Sequence, residues 1–465
     1  MKKILVVIAN YGTKNDQYLR CLLREYASLP YDVHVVILTN TPKEHGDSVE
    51  IVLHQPTGDP WTFPFAHKRI LAEHIDEYDL FIYSEDDTLI KENNIAAFLD
   101  VAAMLADDEV AGFIRAEQTA VGEKRFSTIN SHFHWEPASV VRRGSEMFAS
   151  FTNAHAASYI LTRDQLRRAM LSGGFLVDPH QERYDLLVTA ATDPYTQCGF
   201  RKLICISRLD DFVIEHLPNK YLGQFGISAD DLERQVSALK DIAAGVRPAT
   251  VLLSTETKLQ HLRWSKSYYE PAQEDIIASI PSHVKTLLSF GCGLGELESE
   301  IQKRGMHVTA VALDSVIGNC AEARGLDVLY GNTSQILERL SGRRFDAVLI
   351  VNLLHLVPQP EMLLKQLAMV LGPKGVIIAS APNTAHLGII WKRVKGEVAL
   401  EGIGSYKRVG MHASSVWKLK QWFRSSGLKI DTTTSWVSKR APWWKRLFRR
   451  WLAREVLVRG IPSAA

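Results

Sequence analysis

Two clusters in this sequence carry residue types that can do chemistry. The first is Phe81-Ile82-Tyr83-Ser84-Glu85-Asp86-Asp87-Thr88, an apolar run that stops abruptly in three acids. Adjacent carboxylates repel, so a strand ending in them is costly unless a cation or basic partner neutralises them. The second is Thr286-Leu287-Leu288-Ser289-Phe290-Gly291-Cys292-Gly293-Leu294-Gly295, which ends in Gly-x-Gly-x-Gly ahead of a helical stretch, Glu296–Arg304. Glycines there let a ligand approach the backbone at a helix N-terminus, at the carboxyl edge of a parallel sheet. Each pattern has a plainer explanation too. Acids cap helices and fill solvated loops, and tight strand–helix turns use glycine for steric reasons alone.

Three further features surround the acids. The opening run Ile4–Ala9 delivers Asn10-Tyr11-Gly12-Thr13, a polar turn suited to a nucleotide base and ribose. His67-Lys68-Arg69 lies on a helix between that run and the acids, placing positive charge for a diphosphate. Asp210-Asp211-Phe212-Val213-Ile214-Glu215-His216 supplies a late histidine. Carboxylate, imidazole and diphosphate oxygens form a donor set suited to Mn²⁺ or Mg²⁺.

This arrangement resembles metal-dependent glycosyltransferases of the GT-A type over residues 1–225, with Glu85-Asp86-Asp87 as the Asp-x-Asp-type motif. The resemblance implies Asp87 and His216 as metal ligands and a nucleotide-sugar donor held by Asn10, Tyr11, Glu85 and Asp86. It implies Asp185, in Glu182-Arg183-Tyr184-Asp185-Leu186-Leu187, as general base of an inverting reaction. Helix capping explains Asp185 equally well, and a retaining enzyme needs no such base. His155, in Phe151–Tyr159, either touches the acceptor or is a buried histidine, while Trp61 and Trp135 either stack on a sugar or pack in the core.

From Trp264 to Ile430 the chain resembles class I S-adenosylmethionine-dependent methyltransferases. The resemblance rests on Tyr268-Tyr269-Glu270, the glycine loop, Asn352–Pro360, Leu371-Gly372-Pro373-Lys374-Gly375 and Ser380-Ala381-Pro382-Asn383. It implies S-adenosylmethionine as cofactor, its amino-acid end at Gly291, Gly293 and Gly295. Four usually acidic positions are neutral here: Ser289, Ala312, Asn332 and Asn352. An alanine cannot accept bonds from two ribose hydroxyls, and Asp314 reaches them only if its loop is displaced. Asn332 stands on the adenine side. If each lost contact contributes about 1–2 kcal/mol, cofactor retention weakens by several kcal/mol. His355 and His412 are the available bases for an acceptor, or else structural histidines.

The elements that must position these residues alternate along the chain, strand then helix, which predicts α/β architecture with largely parallel sheets. The strand–glycine loop–helix series restarts after residue 284, so two Rossmann-like domains are expected. Their bounds read 1–225 (GT-A-like), 226–262 (a helical connector), 263–438 (methyltransferase-like) and 439–465 (a basic tail). A helix is predicted over Tyr184–Cys198. The 465 residues leave room for two or three domains, and 46% hydrophobic with 23% charged residues excludes a largely disordered chain. A net charge of +2 offers no global basic field, so nucleic acid is not an expected partner.

Residues 439–465 hold eight basic residues and one acid, Glu455. Trp444, Leu447, Phe448, Trp451 and Leu452 fall at helical spacing, with Lys445, Arg446, Arg449 and Arg450 opposite. An amphipathic helix over 443–452 is therefore expected, resting on a membrane surface or on protein. Five scattered cysteines without CxxC pairing fit a reducing, cytoplasmic setting, with a peripheral place on the inner membrane face through that helix. No 18-residue apolar run predicts a membrane span, and the Ile4–Ala9 run is too short for a signal peptide.

The combined expectation is an enzyme of surface-polysaccharide assembly. It transfers a sugar from a nucleotide-sugar donor to a glycan or lipid-linked glycan and carries a fused methyltransferase. The alternatives are a glycosyltransferase on a degenerate methyltransferase scaffold, or a methyltransferase with a non-catalytic sugar-binding N-terminal domain.

Overall fold

A computed structural model describes residues 1–46, 48–126, 131–222, 227–436 and 449–463. Contacts divide the chain into an N-terminal unit, residues 1–129 and 133–246, and a C-terminal unit, residues 130–132 and 247–465. The expected connector is therefore split. Its helix, Ala229–Ala243, belongs to the N-terminal unit, and the residues from Arg247 onward belong to the C-terminal one.

In the N-terminal unit the apolar runs become β1 (Lys3–Asn10), β2 (Asp32–Thr39), β3 (Val49–Leu53) and β4 (Leu80–Glu85), completed by β5 (Ser158–Thr162). The sheet order is β5-β4-β1-β2-β3, parallel except for β5. β1 is buried from Ile4 to Asn10, as a central parallel strand covered on both faces must be. Its register sets Ala9 against Glu85, so Asn10 and the three acids leave the sheet at one edge. In a second sheet Ile114–Gln118 runs parallel to Val213–His216, and His216 pairs with Thr88. That pairing carries the late histidine to the acids.

The helix predicted over Tyr184–Cys198 is two short ones, Leu186–Thr189 and Asp193–Thr196. Pro194 is the reason: lacking an N–H, it fits the first turn of a helix and cannot continue one.

The C-terminal unit is built on seven strands: β6 (Thr286–Cys292), β7 (His307–Ala312), β8 (Asp327–Leu329), β9 (Phe345–Ile350), β10 (Leu371–Pro382), β11 (Leu428–Trp436) and β12 (Glu455–Pro462). Their order is β8-β7-β6-β9-β10-β12-β11. β6 to β10 run parallel, and β12 inserts antiparallel between β10 and β11. Strand order reverses between β6 and β9, which places a binding crevice beyond their carboxyl ends. Leu287, Leu349, Ile378 and Leu457 are among the apolar residues that fill the core against the helices.

The last strand corrects the expectation of a separate tail over 439–465. Val456, Leu457 and Val458 are fully buried and bonded on both sides. The basic count of that stretch masked a β-branched run. Arg449–Leu452 forms a short helix, and residues 437–448, which carry most of the expected amphipathic helix, lie outside the described residues. Among the described residues no helix is long and apolar enough to cross a membrane.

Candidate functional sites

The acids after β4 do not splay into solvent; Asp86 and Asp87 are buried. Asp86 is gripped by two side-chain amides, its Oδ2 accepting from Asn10 Nδ2 at 2.6 Å and its Oδ1 from Asn15 Nδ2 at 2.7 Å. Asp87 Oδ2 accepts from Asn15 Nδ2 at 3.2 Å and lies 3.4 Å from Lys220 Nζ and 3.7 Å from His216 Nε2. The other face of His216 is fixed by Glu117, whose Oε1 is 2.5 Å from Nδ1, while Tyr221 stacks on the ring. Arg115 lies over the Tyr221 ring and its charge acts on Glu85 and Asp87.

The three carboxyls titrate apart. Burial, reinforced by Asp87, pushes Glu85 up to about 8. Burial lifts Asp86 to about 6 against its amide bonds. Burial raises Asp87 as well, yet His216, Lys220 and Arg115 hold it below the ordinary carboxylate value. Neutralisation is thus shared between a retained proton on Glu85, amide donors on Asp86 and cations beside Asp87. Asp87 Oδ1 and Asn10 Oδ1 remain buried without a hydrogen-bond partner. Such atoms ask for a ligand.

Among the described residues no group of three or more His, Cys, Asp or Glu side chains is placed to hold a metal ion. Asp87 and His216 are brought together, but Glu117 is turned to the far nitrogen of His216, and Lys220 stands where a cation would approach Asp87. The donor set does not fit the expected Mn²⁺ or Mg²⁺.

Other expected residues are placed as follows. Lys68 corrects the diphosphate expectation: it is buried and paired with Asp193, and Arg69 is exposed beside Glu73. Tyr11 is exposed and meets Phe63 edge-on. Asp185 is a helix cap, accepting from Val188 N at 3.0 Å. Trp135 is core against Phe151, Trp61 is exposed, and burial lowers His155 well below the ordinary histidine value. Asn15, Arg115, Glu117 and Lys220 went unnoticed in the sequence. Arg115 and Glu117 share one strand face at i and i+2, and that alternation was the available signal.

In the C-terminal unit the glycine loop closes β6 at the strand-order reversal. Gly295 at φ +88° starts the helix Glu296–Lys303. A Cβ at Gly293 would lie 2.2 Å from the Tyr268 carbonyl oxygen, which also accepts from Leu294 N at 2.8 Å. At Gly291 it would lie 2.5 Å from Leu353 Cδ2. Beside the loop Lys266 is buried, bonded to Glu270 at 2.5 Å and to the Val351 carbonyl at 2.9 Å. Asn352, at φ +47°, donates to Glu270 at 3.5 Å. Ser289 donates to Glu298 at 2.6 Å, which replaces the usual acid by an internal pair. Lys266, Glu270 and the three glycines line a cavity of about 20 Å³, room for a water molecule.

The positions expected to hold the nucleoside are engaged elsewhere. Asp314 Oδ1 accepts from Val316 N at 2.7 Å and Ile317 N at 2.8 Å, an Asx turn into the following helix. Burial pushes Asp314 up to about 7, against those two bonds and one from Tyr268. Asn332 is exposed and caps the helix Thr333–Arg339 through Gln335 N at 3.0 Å. His355 Nε2 is 2.8 Å from the Trp264 carbonyl, so that nitrogen carries the proton; burial lowers this histidine to about 4. His412 bonds the carbonyls of Val357 and Pro358.

Residues 267–433 match the methyltransferase domain family. Over 154 residues the chain is 29% identical to a ubiquinone biosynthesis O-methyltransferase of Coxiella burnetii, covering 31% of this chain and 64% of that protein. A second ubiquinone biosynthesis O-methyltransferase, from Xylella fastidiosa, is 26% identical over 38% of this chain and 73% of its own length. The chain thus spans less than two thirds of the first of these relatives. A solved S-adenosylmethionine-dependent methyltransferase from Mesorhizobium loti superposes with a TM-score of 0.30 at 17% identity, over 40% of this chain and 95% of that one. The family match and the strand order together make residues 267–433 a class I S-adenosylmethionine-dependent methyltransferase domain with a Rossmann-like fold.

Proposed function

We propose that this chain is a methyltransferase that moves the methyl group of S-adenosylmethionine to a hydroxyl oxygen of a glycan or sugar nucleotide. The observation that carries the reading is the Gly291–Gly295 loop at the strand-order reversal, inside a stretch matching the methyltransferase family. Oxygen as acceptor atom follows the O-methyltransferases that the domain is similar to. The cofactor supplies an electrophilic methyl on a sulfonium. The loop backbone would hold the cofactor's amino-acid end, and Glu270, steadied by Lys266, would offer a carboxylate to the ammonium. Little else is needed, because alignment of the nucleophile is the main contribution to methyl transfer. The test is formation of S-adenosylhomocysteine by the full chain with sugar nucleotides, glycans and phenols as separate acceptors. Formation with a carbohydrate hydroxyl supports the reading; no product above the protein-free rate with any acceptor removes it.

A second reading concerns the N-terminal unit, and a specific observation favours it: the unpartnered Asp87 Oδ1 beside Lys220, His216 and Arg115 at the edge where β1 and β4 end. Anionic and cationic groups side by side suit a nucleotide sugar, the cations toward its diphosphate and the acids toward hydroxyls. Transfer of that sugar to a glycan, free or lipid-linked, would make the protein bifunctional. Arg115 and Lys220 would then take up the charge of the leaving diphosphate. A nucleotide-sugar panel with Mn²⁺, Mg²⁺ or a chelator separates the cases. Turnover that survives chelation and is lost in Asp87→Ala supports transfer; binding without turnover leaves a sugar-binding domain.

A further inference from the structure

From Arg247 onward the C-terminal unit does not lead directly to β6. It first crosses the carboxyl ends of β7 and β8. Val251 forms an antiparallel bridge with Asp314, in which Leu252 N donates to the Leu313 carbonyl at 2.8 Å and Ser315 N donates to the Thr250 carbonyl at 3.0 Å. The Leu252 carbonyl then accepts from Thr333 N at 3.2 Å and Thr333 Oγ1 at 3.1 Å. Arg247 anchors the segment, reaching the Ser315 carbonyl at 3.2 Å, Asn319 at 3.0 Å and Glu322 at 2.9 Å, with its guanidinium over Tyr330.

Leu313 to Ser315 directly follow Ala312, the ribose position, and Thr333 directly follows Asn332, the adenine position. Backbone groups that a nucleoside would use on this side of the cleft are therefore bonded to the chain itself. Tyr268 strengthens the point. It is fully buried, its phenol lies 3.2 Å from Thr255 Oγ1 and bonds toward Asp314, and its carbonyl rests on Gly293. Beside the loop lies the cavity of about 20 Å³.

We propose that Arg247–Leu252 is a built-in strap that occupies the adenosine side of the cofactor cleft, so that strap and S-adenosylmethionine exclude one another. The inference rests on the cofactor reading above. It makes cofactor affinity a property of strap release, and the neutral Ala312 becomes intelligible. A carboxylate there would be buried beside the strap's own bridge without ribose hydroxyls to bind.

The test is titration of the full-length protein with S-adenosylhomocysteine, comparing wild type with Arg247→Ala and Leu252→Gly, together with amide hydrogen exchange of the wild type. Arg247→Ala removes the anchor without touching the core, so it guards against a misfolded Leu252→Gly. The expected result is affinity raised about tenfold or more in Arg247→Ala, the ~1.4 kcal/mol of one or two hydrogen bonds. Ligand should also speed exchange at the Leu252 amide. Equal affinities in wild type and Arg247→Ala, or a Leu252 amide that stays protected under saturating ligand, overturn the strap and leave the cofactor reading standing. Saturable binding to neither protein overturns both.

Discussion

The two carboxyl-edge sites of this molecule solve the same problem in opposite ways. In the N-terminal unit, β1 and β4 bring polar side chains together and leave Asp87 Oδ1 and Asn10 Oδ1 buried without partners. In the C-terminal unit, the backbone groups beyond β7 and β8 are bonded by residues of the same chain. Backbone capacity that is already met marks a place that a ligand must compete for, whereas unmet side-chain capacity occurs on both sides, at Thr250 Oγ1 and Tyr330 OH as well as at Asp87 Oδ1 and Asn10 Oδ1. The glycine motif alone would have ranked the two sites the other way round.

The comparison breaks most readily at Gly293. Gly293→Ala drives a Cβ against the Tyr268 carbonyl, and the C-terminal unit should lose about 3 kcal/mol of stability, read as a lowered urea midpoint. An unchanged midpoint would mean that Tyr268 can leave the loop freely, and that the cleft is less filled than described. On the other side, Asp87→Ala removes the carboxylate that Lys220 and His216 surround. Nucleotide-diphosphate affinity should change at least about 100-fold, ~2.7 kcal/mol, by equilibrium binding. A change below threefold would reduce the acid corner to a structural knot.

A smaller effect sharpens the picture of the filled cleft. The Asp314 carboxyl is held near 7 in the folded chain, above its ordinary 3.8, so the folded state keeps a proton there that the unfolded chain releases. That stabilisation is complete below pH 3.8 and is lost as pH rises through about 7. Asp314→Asn should flatten the decline by a few kcal/mol at most between pH 4 and 8, measured by denaturant unfolding at each pH. Parallel pH profiles for the two proteins would show that Asp314 is not a buried member of the bridge region. The smallest effect expected is at Asn332. Asn332→Ala should cost about 1 kcal/mol of stability as a lost helix cap and leave S-adenosylhomocysteine affinity within twofold. A large loss of affinity would restore Asn332 to the adenine.

What could be read from the sequence was whatever depends on local order. The apolar runs Ile4–Ala9 and Thr286–Phe290 read as buried parallel strands because both faces must be apolar, and both are central strands. The three acids after Tyr83 and the late His216 were legible as a pair of neighbours, and Asp87 and His216 do meet. What failed needed partners distant in sequence. Lys68 looked like a cation for a ligand, and only the fold sets Asp193 against it. Asp314 looked like a substitute for a missing acid and Asn332 like a neutral residue facing the adenine, and their short polar side chains are spent on adjacent backbone N–H groups. Thr250–Leu252 has no composition that announces a return to Leu313 and Thr333. On its own side its bonds are all made by backbone N–H and C=O groups, which every sequence supplies, although the hydroxyls of Ser315 and Thr333 are among their partners.

The Tyr268 carbonyl packed on Gly293 has one more consequence. Position 293 must stay free of a side chain for steric reasons whether or not a methyl group is ever transferred. The signature by which such domains are recognised is then guarded by folding, and it would outlive the loss of catalysis. For proteins built this way, competence is better sought in whether the crevice is open than in the letters that border it.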